Sequence, residues 1–145
     1  MRLWHKDLIP VLPRQQLLSQ WRECCAIAKS ISEKGTPNHI LVNKIMDYPM
    51  GHFWKYGYLI MKEMERRGYK CDFDRFERWI DKPYALVTPS TYHLFENWHN
   101  ERYLIQCYHN LEEKYDCGGV PKDEWKKVIN KVKNKGTKGV YKMEG

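Results

Sequence analysis

An all-α fold is what this sequence predicts, and three observations predict it. Apolar residues recur at helical spacing in four separate stretches, while alternating strand-like runs are scarce. Proline, glycine and asparagine fall between those stretches, where helices start and stop. At 145 residues with 42% hydrophobic and 14% aromatic side chains, the chain can bury a single core, so a compact domain over 1–145 is expected.

The first helix opens at Pro13, where a missing amide costs nothing. Leu17, Trp21, Cys24, Ala28 and Ile31 form its buried stripe, and Lys34–Gly35 stops it. A short segment from Asn38 to Asp47 follows, with Asn38 a candidate N-cap and Pro49 a boundary. The next helix runs from about Gly51 to Arg67. Phe53, Tyr56, Ile60 and Met64 point inward, and Gly68 supplies a left-handed residue after its end. Gly57 inside that helix is unfavourable by propensity and signals close approach of a neighbour. A weaker amphipathic piece begins at Asp72, and Lys82 to Phe95, with two prolines, reads as a long loop. A helix from Asn100 to Tyr115 carries Leu104, Cys107, Tyr108, Leu111 and Tyr115 on one face and ends at Cys117–Gly118–Gly119. The last helix starts near Pro121 and buries Trp125, Val128, Ile129 and Val132. The tail from Gly136 is expected to be irregular.

Charge narrows the partners. Lysine and arginine total 25 against 18 acids, a net +7, which favours an anionic partner, nucleic acid before an anionic membrane surface. No apolar run approaches the roughly 18 residues a spanning helix needs, and charges and prolines interrupt the N-terminus before a signal sequence could form. A soluble, cytoplasmic protein is expected, nucleoid-associated in a bacterium. Five cysteines at irregular spacing, without a C-x-x-C pair, argue against a zinc site or a disulfide framework and read as free thiols. Phosphate-loop, dinucleotide, G-x-S-x-G and H-E-x-x-H patterns are absent, and the six histidines lack ligand spacing, so no cofactor or metal is expected.

Two features remain. The last helix sets Lys126, Lys127, Lys131, Lys133 and Lys135 on its outer face, either a solvated surface or, with Lys138, Tyr141 and Lys142 beyond it, a phosphate-binding one. On the first helix, Arg22 and Glu23 lie on the outward half with Gln16, Ser19 and Ser30, so periodicity alone makes Glu23 a surface carboxylate.

The order M-R-L-W at residue 1, L-P-R-Q-Q-L-L-x-Q-W-R-E at Leu12, N-H at Asn38 and E-R-R-G-Y at Glu65 resembles the pyrimidine-dimer DNA glycosylase family. The similarity runs through Tyr69, returns more weakly from His99 to Tyr115, and fades in the lysine-rich C-terminus. The resemblance implies a compact all-α domain that removes a damaged pyrimidine from double-stranded DNA and cleaves at the abasic site left behind; a monomer is expected. It implies that the α-amine of the first residue is the nucleophile, Met1 here, and that Glu23 is the essential carboxylate. Arg2 and Arg22 would hold phosphates or the distorted backbone.

The residue types suit that chemistry. An α-amine, with a pKa of about 7.7–8.0, is roughly 10–20% neutral at pH 7, against less than about 0.1% for lysine. Attack at the sugar C1′ expels the base and leaves an imine, and a carboxylate can then move the protons of β-elimination. Two departures stand out. The large Arg2 side chain normally blocks removal of the initiator methionine, so Met1 is the expected nucleophile in place of a smaller residue. Ala26 occupies a position that is basic in the family's phage member, which shifts DNA contacts to Lys29 or to Lys126 and Lys131 of the last helix. His39 in the N-H motif either faces the site or packs near Asn38. Two alternatives share the scaffold: a nucleic-acid-binding protein without catalysis, and an enzyme using the same amine on another nucleotide substrate.

Overall fold

In the computed structural model, which describes residues 1–81 and 88–135, the chain is helical, and no strand occurs among those residues. An extended N-terminal segment, residues 1–5, which joins no sheet and is termed the N-terminal strand, leads into a 3₁₀ helix at Lys6–Val11. Five α-helices follow among the described residues: α1 (Arg14–Lys34), α2 (Met50–Arg66), α3 (Asp74–Glu77), α4 (Glu101–Asp116) and α5 (Lys122–Asn134), with a second 3₁₀ helix at Asn43–Asp47 before α2. No helix among the described residues is long and apolar enough to cross a membrane.

The helix ends follow from local chemistry. Pro13 and Pro121 sit immediately before α1 and α5, where a proline without an amide is tolerated. Gly35, Gly68 and Gly118 take positive φ just past α1, α2 and α4. The Asn100 side chain accepts the Tyr103 amide at 2.9 Å and caps α4. Asn38 does not cap the next segment as its residue type predicts. Its φ is +57°, its amide donates to Thr36 Oγ1, and the regular turn begins only at Asn43, so the segment is shorter than expected. A left-handed residue cannot be the extended N-cap of a helix, which is the reason the expectation fails.

α2 lies at the centre, against α1, the first 3₁₀ helix and the second, while α5 packs on α4 and on the first 3₁₀ helix. Phe53, Tyr56, Ile60 and Met64 of α2 are buried as the spacing predicts. Leu17, Trp21, Cys24 and Ala28 of α1 are buried too, whereas Ile31, Tyr115 and Ile129 stop half-buried at the core's margin. Gly57 explains itself: a Cβ there would stand 2.3 Å from Phe76 Cζ, so α3 reaches α2 only over a glycine. Overpacking of this kind costs about 1–3 kcal/mol.

The stretch expected as a long loop lies partly outside the described residues. From Thr88 to His99 it consists of turns, with Phe95 and Asn97 at φ of +51° and +74°. Burial of the Phe95 ring among Tyr48, Trp98 and His99 offsets a backbone cost of order 1–3 kcal/mol. The tail from Gly136, with Lys138, Tyr141 and Lys142, also lies outside them. All five cysteines are free.

Candidate active site

Residues 1–5 are extended but pair with no strand, so their polar backbone groups must be met by side chains. Three carbonyls are met from three different helices. Gln20 Nε2 of α1 donates to Arg2 O at 2.9 Å, the Tyr103 hydroxyl of α4 to Leu3 O at 2.6 Å, and the Tyr56 hydroxyl of α2 to Trp4 O at 2.6 Å. The Trp4 amide donates to Gln20 Oε1 at 2.8 Å, and the Arg2 amide donates to the Glu23 carboxylate. Leu3 and Trp4 bury their side chains in the core, which fixes the strand's depth. The consequence is that Met1, half exposed, is carried to a set position beside α1.

That position is a cleft of about 290 Å³ walled by Met1, Arg2, Trp4, Glu23, Leu41 and Lys114, with Gln16, Ser19 and Asn110 completing it. Glu23 is therefore not the surface carboxylate that helical periodicity predicts. The N-terminal strand lies across that side of α1 and half-buries it. Burial raises the Glu23 pKa above its ordinary value, and this outweighs the positive Met1 amine, the Arg2 amide, His39 and Arg22, which all act to lower it. Gln20 Nε2 adds a donor 3.2 Å from Glu23 Oε2. Burial and the nearby amine thus act on this carboxyl in opposite directions. Gln16 Oε1 is buried in the same wall without a protein partner, an acceptor turned towards a cleft that needs one.

The other predicted residues divide. Arg2 lines the cleft, stacks over Trp4 at 5.5 Å and brings Nη1 4.0 Å from Cys107 Sγ. His39 does not line the cleft, although it is near enough to act electrostatically on Glu23, and its Nδ1 accepts the Leu41 amide at 3.2 Å and so holds its own loop. Arg22 is exposed, donates to Ser19 Oγ at 3.2 Å, and borders a second groove with Lys70 and Arg75. Lys29 is exposed at 5.8 Å from the Trp79 ring and stands outside the cleft. Lys126 and Lys131 sit on α5, none of whose residues lines the cleft. On that helix Lys135 pairs with Asp7 at 3.3 Å.

Sequence reasoning missed Gln20, Tyr56 and Tyr103, the side chains that hold the strand. Gln20 carried a signal: it falls three residues after Leu17 and four before Cys24, a polar residue inside an apolar stripe, and buried polar groups need partners. The two tyrosines gave none, since the Tyr56 ring is buried in the core, the Tyr103 ring packs half-buried against it, and only their hydroxyls have the second task.

Fold and cleft together define a small all-α protein that presents its N-terminal residue and a half-buried carboxylate in one basic-flanked cleft. The chain belongs to the pyrimidine dimer DNA glycosylase family, whose family model matches residues 1–87. Membership implies a DNA-binding repair enzyme of the glycosylase class. The match holds the strand, α1, α2 and α3, while Asn110 and Lys114 of the cleft come from the unmatched part. No curated protein and no solved structure matches the chain.

Proposed function

We propose that the protein excises a damaged pyrimidine from duplex DNA and cleaves the resulting abasic site, with the Met1 α-amine as nucleophile and Glu23 as its proton-transfer partner. The observation that carries the reading is the shared cleft, in which the amine's charge acts on the Glu23 carboxyl. The neutral amine nitrogen bonds to C1′, the bond from C1′ to the base breaks, and the base leaves with that electron pair and takes a proton. The nitrogen gives a proton to O4′ as the C1′–O4′ bond breaks and the sugar ring opens, leaving a protonated imine between Met1 and C1′. Glu23 removes a C2′ proton, and the electrons expel the 3′ phosphate by β-elimination. Water then hydrolyses the imine and frees the amine.

DNA contacts in this reading spread from Arg2 and Lys114 at the cleft to Arg22, Lys70 and Arg75 at the neighbouring groove, which takes over from the absent cation at Ala26. His39 would assist from the loop above Glu23. Lys29, Lys126 and Lys131, which line neither groove, would contribute to the long-range positive field.

Borohydride reduction of the untagged protein on duplex with an abasic site, and on ultraviolet-irradiated duplex, is expected to leave a covalent adduct. A short extension ahead of Met1, or Glu23→Gln, is expected to abolish it or slow it by at least about 100-fold. Salt-sensitive DNA binding with no adduct would instead establish a binding protein on this scaffold.

A further inference from the structure

Beside the active-site cleft lies a larger one of about 430 Å³, bordered by Arg2, Ile40, Leu41, Lys44, Trp98 and Arg102. Arg2 and Leu41 belong to both clefts, so Leu41 stands on the wall between them with Ile40 next to it. Ile40 is 85% exposed and Leu41 47%. Single exposed apolar residues are ordinary on protein surfaces, but clustered ones are not. Of five exposed large hydrophobic residues among those described, Ile40, Leu41 and Met46 fall within seven positions, and Met1 lines the active-site cleft together with Leu41.

The loop that carries them is built to hold them out. Thr36 Oγ1 accepts the Asn38 amide, Asn43 Oδ1 accepts the His39 amide at 3.0 Å, and His39 Nδ1 accepts the Leu41 amide. The Val42 and Asn43 amides both return to His39 O, at 3.0 and 2.9 Å. Val42 and Ile45 anchor the loop in the core, so Ile40 and Leu41 have no route inward. An apolar pair on a rigid tip, flanked by Arg2, Lys44 and Arg102, matches a ligand that is anionic outside and apolar within.

We propose that Ile40 and Leu41 form a wedge that enters the base stack of duplex DNA and holds open a kinked step beside the Met1 cleft. The inference rests on the reading that the cleft receives DNA. Unstacking a base step costs a few kcal/mol, and inserted aliphatic side chains recover part of it while fixing the kink.

The test uses duplex DNA with a tetrahydrofuran abasic analogue, which cannot form an imine, and 2-aminopurine as the neighbouring base. Wild-type protein at saturation is expected to raise 2-aminopurine fluorescence by about two-fold or more as the step opens. Ile40→Ser and Leu41→Ser lose the rise at saturation and weaken binding by about ten-fold each, as loss of a buried aliphatic side chain predicts. Met46→Ser, on the same loop but bordering neither cleft, keeps it. No rise with wild type, a full rise with Ile40→Ser, or an equal loss with Met46→Ser overturns the wedge. If the rise appears but borohydride traps nothing on a natural abasic site, the amine chemistry fails and the wedge stands.

Discussion

Glu23 shows how a residue can be costly to the fold and, in the proposed mechanism, serve the reaction. Its carboxyl is half-buried by the N-terminal strand, and its folded-state pKa lies above the ordinary value. A raised acid pKa means the folded chain holds that proton more tightly than the unfolded chain. The charged form therefore destabilises the fold, by nothing at pH below the carboxylate range and by the full amount once pH has risen through the raised value. Glu23→Gln is expected to melt about 1–3 °C above wild type at pH 7, with the difference vanishing near pH 4, while borohydride trapping is lost. Equal melting temperatures at pH 7, or a difference that grows on acidification, would contradict this account. Gln20 and Glu23 sit one turn apart in the same LLSQWRE run, and the structure gives them related tasks. Gln20 ties the strand down, and Glu23 receives what the strand delivers.

At the scale of elements, the N-terminal strand is fastened to α4 and the turns before it through two buried histidines. His5 Nδ1 accepts the Asp7 amide at 3.0 Å, and His99 Nδ1 accepts the Lys6 amide at 2.9 Å. Each ring thus uses an unprotonated nitrogen as an acceptor, and the rings stack 5.1 Å apart. Burial lowers His5 to about 4 and His99 well below its usual value, Lys6 pushing the same way and Asp7 opposing at His5. The unfolded chain takes up protons near pH 6.5 and the folded chain does not until about pH 4, so stability is lost as pH falls through that window. Thermal unfolding between pH 6.5 and 4 should show a falling midpoint and an uptake of about one proton per ring. A flat midpoint across that range would mean the rings are charged in the folded protein. Lys6 Nζ, bonded to the carbonyls of Tyr92 and Leu94 at 2.8 and 2.7 Å, completes this fastening.

For the whole molecule, the question is which of its positive charges meet DNA. The net +7 is spread over several faces, and the lysine-rich α5 is its densest helical part. The cleft, however, opens beside α1, with Arg2 and Lys114 on its walls, Lys44 and Arg102 on the adjoining cleft, and, across Ser19, Arg22 with the groove of Lys70 and Arg75. Arg22→Ala and Arg75→Ala should each reduce the slope of log binding constant against log salt by about one, whereas Lys126→Ala with Lys131→Ala should change it by much less. Titrations of abasic duplex at several salt concentrations make the comparison, and a larger effect from α5 would move the interface to the other side of the molecule.

How much was legible in advance can be seen residue by residue. The stripe Leu17, Trp21, Cys24 and Ala28, the caps at Pro13 and Gly35, and the close approach at Gly57 are local consequences of helical geometry, and each is found where the spacing sets it. The family, too, is written in the ordered motifs from Met1 to Tyr69. Asn38 departed because residue type alone does not choose between capping and a left-handed turn. Glu23 departed for a deeper reason. Periodicity tells which face of a helix is polar, but it is silent on which other part of the chain will lie over that face. A strand held by Gln20, Tyr56 and Tyr103, side chains 16, 52 and 100 residues from the backbone groups they bind, has no local signature. The sequence by itself determined the helices, their buried faces and the kinship. Only the tertiary structure decided that the first residue and Glu23 share a cleft, because that neighbourhood is made by hydrogen bonds between segments far apart in the chain.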